Sequence, residues 1–162
     1  MAKKKTKAPR ATRPNIPNYG ISEKKAGMLP WKWAADRLTR SKQYWIATTR
    51  PDGAPHVMVI WGLWIDDEFW FSTGRKSRKA RNLDGNPHCV ICSENAAQAV
   101  IVEGTVDKVE NTAALEKIFK AYQKKYKWDI RGMGEPMFQV KPSVAFGLFE
   151  KKFTQTATKW QF

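Results

Sequence analysis

The chain has 162 residues, 42% of them hydrophobic, and carries a formal net charge of +14. Its length and apolar content suit one domain with a real core and exclude a pair of small ones, while no stretch approaches the roughly 18 apolar residues of a membrane span. The excess charge draws polyanions, and nucleic acid, acidic membrane surfaces and phosphorylated small molecules all fit it.

The chain opens with Lys3, Lys4, Lys5, Lys7, Arg10 and Arg13 in a Lys-, Ala-, Thr- and Pro-rich segment without apolar periodicity. Residues 1–20 are therefore expected to form a basic disordered arm, and residues 21–162 a single domain. The basic start is not followed by an apolar run, so no leader is expected and a soluble, cytoplasmic protein is.

Residues 30–38 place Trp31, Ala34, Ala35 and Leu38 on one stripe, which predicts a short helix. An aromatic strand over 44–49 follows, and Arg50-Pro51-Asp52-Gly53 supplies a tight hairpin turn. Residues 55–65 read as one strand that is apolar on both faces. The face of Val57, Val59, Trp61, Leu63 and Ile65 and that of Met58, Ile60 and Trp64 cannot both stay in water. One face must be buried by a partner, which predicts a homodimer. Asp66-Asp67 then turns the chain into a strand over 69–73.

The next stretch is the most informative. After Thr73-Gly74, Ser77 stands as an N-cap before a short helix, with Arg75, Lys76, Arg78, Lys79 and Arg81 around its first turn. A helix N-terminus already carries about half a positive charge, so these cations favour a bound anion there. A phosphate would use the free amides, the Thr73 and Ser77 hydroxyls and the basic side chains together. The plainer alternative is a solvated, lysine-rich surface turn.

A glycine and a proline in Gly85-Asn86-Pro87 predict the helix stop, and apolar strands are expected over 88–93 and 99–109. Cys89 and Cys92 lie three apart on the first of these, so they point to opposite faces. Two small buried side chains are expected there, and no redox or metal site. Asn111 caps an expected packing helix with Leu115, Ile118, Phe119, Tyr122 and Tyr126 at helical spacing. Two strands, over 138–150 and 153–162, close the chain. The whole predicts a mainly β fold with peripheral helices: an antiparallel barrel of six to seven strands.

Three runs now carry a resemblance: Thr-Thr-Arg-Pro-Asp-Gly-x-Pro-His at 48–56, Trp-Phe-Ser-Thr-Gly-x-x-Ser-Arg-Lys-Ala-Arg-Asn-Leu at 70–83, and Asn-Pro at 86–87. Together they resemble the pyridoxamine 5'-phosphate oxidase-like family from about residue 38 to the C-terminus. The resemblance implies a split β-barrel with FMN between two protomers. It implies Ser72, Thr73, Ser77, Arg78 and Lys79 around the phosphate, and backbone groups of His56, Val57, Met58 and Val59 beside the ring. The vitamin-synthesising oxidases carry an Arg and a Lys on the strand before the turn, where this chain has His56 and then apolar residues with Gly62. Their C-terminal Arg-x-His is also missing, since this chain ends Thr-Lys-Trp-Gln-Phe.

The ending is similar to a broad flavin or deazaflavin oxidoreductase branch, some of whose members use 8-hydroxy-5-deazaflavin in place of FMN. The expected chemistry is hydride transfer to or from a small, unsaturated or quinone-like molecule, with the cofactor supplying the reactivity. His56, Met58, Trp61, Trp64 and Trp160 are candidates for lining the cleft, or equally for core packing, and Lys159 or Gln161 for reaching the neighbouring protomer. A flavin- or haem-binding carrier without turnover and a basic nucleic-acid-binding barrel are the alternatives.

Overall fold

A computed structural model describes residues 8–110 and 112–162. Its elements, in chain order, are β1 (Arg10–Thr12), α1 (Trp31–Arg40), β2 (Tyr44–Thr49), β3 (Pro55–Ile60), β4 (Leu63–Ile65), β5 (Glu68–Ser72), α2 (Arg78–Gly85), β6 (His88–Ser93), β7 (Gln98–Val109), α3 (Thr112–Tyr126), β8 (Met137–Phe149), a 3₁₀ turn (Glu150–Lys152), α4 (Phe153–Thr156) and β9 (Thr158–Gln161). Every strand pairing is antiparallel, in the order β1-β9-β8-β7-β6-β2-β3. The long β8 also pairs with β5 through Met137 to Val140, and β5 with β4. This is the mainly β, antiparallel architecture that the alternating strands predict and the split barrel that the resemblance implies, with nine strands among the described residues where six to seven are expected, because the pattern gives no sign of the short β1 or of the division of 55–65.

The expected strand over 55–65 is broken at Trp61-Gly62 into β3 and β4. Gly62 is buried, and a side chain there would run into the Phe69 ring. The Tyr126 hydroxyl accepts from the Gly62 amide at 2.9 Å and lies 2.8 Å from its carbonyl and 2.7 Å from that of Lys42. The corner is therefore satisfied by a side chain from α3 in place of a ladder partner. The break also revises the two-faced strand. Leu63 and Trp64 are buried within the protomer, while Trp45, Val57, Met58, Val59 and Trp61 are 48, 51, 46, 43 and 44% exposed.

The barrel interior is filled by Tyr44, Ile46, Phe69, Phe71, Ile91, Val100, Val102, Phe138 and Val140. Helix α1 closes one end with Ala34 and Leu38, as its stripe predicts. Helix α3 packs Leu115, Ile118 and Tyr122 against Leu63, Trp70 and Met137, forming a second apolar cluster outside the strands. The expected cap at Asn111 lies outside the described residues. Helix α2 runs through Gly85 and stops at Asn86, whose backbone is extended, so no left-handed glycine ends it.

Two terminal expectations need correction. Residues 153–162 are not one strand: a 3₁₀ turn and α4 precede a short β9. Nor do residues 1–20 form a disordered arm throughout. Residues 10–12 pair with β9, and the Arg13 guanidinium donates to the carbonyls of Lys24, Ala26 and Ala157 at 2.7 to 3.0 Å. A cation that satisfies three carbonyls anchors this segment to the domain, a role that composition does not reveal. Residues 1–7 lie outside the described residues. Among the described residues no helix is long and apolar enough to cross a membrane.

Candidate functional site

The turn between β5 and α2 begins as the sequence predicts. Ser77 is the N-cap, with extended backbone, and its Oγ accepts from the Ala80 amide at 3.3 Å. Thr73 Oγ1 lies 3.3 Å from Ser77 Oγ, so both hydroxyls face the same helix start. Ser72 is committed elsewhere, since its hydroxyl donates to the Pro136 carbonyl at 3.0 Å.

The five cations separate into two groups. The Arg75 amide donates to Glu135 Oε2 at 2.7 Å and its guanidinium to the Gly134 carbonyl at 2.6 Å, with Nε 4.0 Å from the same carboxylate. Arg75 is therefore already neutralised and does not demand an anion. No carboxylate among the described residues pairs with Lys76, Arg78, Lys79 or Arg81. Lys79 is partly buried, and loss of water lowers its pKa with no acid nearby to offset the cost. An unpaired, partly desolvated ammonium beside a helix N-cap is what a phosphate would stabilise.

Strand β3 joins this charge to an apolar edge. The pKa of His56 is lowered by burial first and then by the charges of Arg50, Lys79 and Arg78, so the imidazole is neutral at pH 7. Its Nδ1 is buried with no hydrogen-bond partner among the described residues. The hairpin, β3 and α2 thus bring His56, Arg50, Arg78 and Lys79 within electrostatic reach of one another. The Asp-Gly signal had marked Arg50 only as a turn residue. Beyond His56, the exposed Val57, Met58 and Val59 lie on the last strand of the sheet, whose outer backbone groups pair with no strand among the described residues. A heterocyclic ring can hydrogen-bond along such an edge while its phosphate sits at the helix start.

Other candidates move away from the site. Trp160 is fully buried, edge-on to Trp31 at 5.3 Å, and its ring fills the space that a side chain at Gly147 would take. Within the protomer it is a core residue. Trp64 is also buried against Trp31. Gln161 accepts from Arg10 at 2.6 Å, and the Lys159 ammonium sits 5.9 Å from the Phe146 ring. The Cys89 thiol is buried and its pKa pushed up to about 12, and that of Cys92 is also raised by burial. Neither suits thiolate chemistry. No cluster of three or more His, Cys, Asp or Glu among the described residues could hold a metal.

A cleft of about 240 Å³ adjoins the turn, lined by Trp61, Thr73, Tyr122, Trp128, Met133 and Glu135 among others. The stretch 127–136 reads as a connector in sequence, because its contribution depends on contacts with residues some sixty positions away, such as Arg75. A separate hollow of about 300 Å³ over β2, β6 and β7 is lined by no lysine or arginine among the described residues, which offer no charge to hold a phosphate there.

A profile of the pyridoxamine 5'-phosphate oxidase family matches residues 32–159. A pyridoxine/pyridoxamine 5'-phosphate oxidase of Acidothermus cellulolyticus is 36% identical over 84 residues, which is 48% of this chain and only 38% of that protein. Among solved structures, a conserved hypothetical protein of Mycobacterium tuberculosis superposes with a TM-score of 0.69 at 23% identity, covering 81% of this chain and 92% of that one. An F420 reductase superposes with a TM-score of 0.57 at 24% identity, covering 68% and 93%. These structural likenesses concern the fold.

Proposed function

The chain belongs to the pyridoxamine 5'-phosphate oxidase family, and from that premise we propose that it is a flavin-dependent oxidoreductase that holds FMN at the β5–α2 turn. The observation that carries the reading is the unpaired, partly buried Lys79 at the Ser77 cap, beside a neutral His56 with an orphaned Nδ1. Thr73, Ser77, Arg78 and Lys79 fit the phosphoester, and the open edge of His56, Val57, Met58 and Val59 fits the ring. The flavin ring, when bound, supplies hydride transfer to or from a small molecule. The chain's own residues bind the phosphate and orient the ring along β3.

Pyridoxamine 5'-phosphate is a poor fit as substrate, because among the described residues no lysine or arginine lines the cleft beside the turn. The site is proposed to be completed by a second copy of the chain. The exposed Trp45, Val57 and Val59 share one face of the β2–β3 pair and form an apolar surface that continues into the ring edge. An 8-hydroxy-5-deazaflavin is the second cofactor reading, since its phosphoester would use the same turn.

The test is titration of the purified, nucleic-acid-free protein with FMN and with the deazaflavin, following flavin fluorescence and light scattering. Saturable binding by a dimer supports the reading. Failure to bind either cofactor would refute it, as would a colourless protein whose main ligand is oligonucleotide with a steep salt dependence.

A further inference from the structure

The cleft beside the turn has a chemistry of its own. Trp61 stacks on Tyr126 with ring centroids 4.8 Å apart and planes 2° from parallel, and the Tyr126 hydroxyl is held by Gly62 and Lys42. The indole is therefore fixed in place although 44% exposed. Across the cleft stand Trp128 and Met133, 56 and 55% exposed. Large aromatic and thioether side chains left this open offer a flat, polarizable surface that water solvates poorly.

The polar groups narrow the choice further. Among the described residues Glu135 is the one carboxylate that lines the cleft, and no lysine or arginine shares the lining with it. Arg75 is turned toward Glu135 and the Gly134 carbonyl. An anionic ligand would be desolvated beside Glu135, and the cation near that carboxylate, Arg75, is already spent on it and on the Gly134 carbonyl. Tyr122 also lines the cleft, and its hydroxyl makes no hydrogen bond with any described residue. Burial pushes the pKa of that phenol up to about 12, so it remains a neutral donor across the physiological range.

We propose that this cleft is the substrate site and that it selects an uncharged, planar ring bearing a carbonyl, with the ring against Trp61 and Trp128 and the carbonyl oxygen accepting from Tyr122. This rests on the flavin reading for its catalytic meaning, but the binding itself does not require the cofactor. The tether from Arg75 to Glu135 and Gly134 keeps one wall of the cleft attached to the cofactor turn, so the bound ring would lie next to the flavin edge.

The probes are 2-methyl-1,4-naphthoquinone, its carbonyl-free counterpart 2-methylnaphthalene, and 1,4-naphthoquinone-2-sulfonate, titrated calorimetrically into the dimer or monomer as purified, with and without FMN. The neutral quinone should bind at least about tenfold more tightly than the sulfonate, and Trp128→Ala should weaken it about tenfold. Tyr122→Phe should weaken the quinone three- to tenfold and leave 2-methylnaphthalene unchanged, a split that a merely structural role would not produce. Glu135→Gln should narrow the gap between quinone and sulfonate. Equal affinity for the neutral and anionic probes, an unchanged quinone affinity in Trp128→Ala, or no binding of any probe would overturn the proposal. If FMN fails to bind while the quinone series behaves as described, the cofactor reading falls and the cleft assignment stands.

Discussion

The wall built from α1, β8 and β9 and the edge built from β3 and α2 use the same kinds of residue to opposite ends. At the wall, Trp31 meets Trp64, Trp160 and Phe162 edge-to-face at 5.0 to 5.9 Å, and Trp160 is entirely out of water. The Arg13 guanidinium beside it spends its hydrogen bonds on backbone carbonyls. At the edge, Trp45, Val57, Met58, Val59 and Trp61 remain exposed, while Lys79 and His56 lack partners they have the chemistry to take. Aromatic and basic side chains stabilise the wall because they pack against one another or onto backbone carbonyls, even though the Trp160 indole N–H goes without a hydrogen bond among the described residues. The edge holds similar groups unsatisfied, and an incomplete surface of that kind fits a ligand or a second copy better than it fits water.

The sharpest way to break the contrast is at the wall. Trp160→Ala should cost about 3–5 kcal/mol of unfolding free energy, measured by denaturant titration, because it leaves a cavity beneath Trp31. FMN affinity of the remaining folded protein should change little. Trp160→Phe sharpens the same point. The buried indole N–H has no partner, so this change loses volume but no hydrogen bond and should cost distinctly less than alanine. At the edge the pattern should invert. Lys79→Ala should lower FMN affinity about 10- to 100-fold, corresponding to about 1.5–3 kcal/mol for a charge-assisted hydrogen bond, with unfolding free energy unchanged or slightly raised. A Lys79→Ala protein that binds FMN normally but unfolds early would place the lysine with the wall residues.

Ser77→Ala lies between the two regions, since the hydroxyl caps α2 and also faces the anion site. It should cost about 1 kcal/mol of stability as well as a several-fold loss in FMN affinity. The smallest effect concerns pH. Burial pulls the pKa of Lys125 down from 10.5 to about 8, against a donor role to Tyr44 Oη at 2.8 Å and to the Gly62 carbonyl at 3.0 Å. The folded state releases this proton before the unfolded state does, so stability should rise as pH increases above 8. Cys89 acts in the other direction, because the unfolded thiol ionises near 9.0 while the folded one holds its proton to about 12. The net gain should therefore be confined to pH 8–9 and stay below about 1 kcal/mol after allowance for solvent screening. Lys125→Met should remove most of the rise, leaving the share that Lys79 contributes, and keep the fall.

Much of the edge was legible because its signals are local. The N-cap, the cluster of cations and the Asp-Gly hairpin are each contained in a few consecutive residues, and β2 and β6 fall where alternation places them. What escaped depends on distant partners. Nothing near Arg75 announces that Glu135 neutralises it, and nothing near Tyr122 announces a cleft. Trp160 shows the limit of composition: a C-terminal tryptophan on a strand suits a core and a ligand site equally, and only the open space over Gly147 assigns it to the core. The 55–65 strand was misread because a run apolar on both faces gives no period from which to detect a corner. A single glycine held by a phenol 64 residues away leaves no local trace.

That phenol has a consequence for how the molecule can diverge. Positions 62 and 126 form a mechanical couple: one supplies bare main chain, the other the grip that bends it. A descendant that fills position 62 loses room for the bend, and one that drops the Tyr126 hydroxyl leaves the buried Gly62 amide without its acceptor. The two positions should drift together or not at all, leaving the wall at 128–135 free to be recut for new guests.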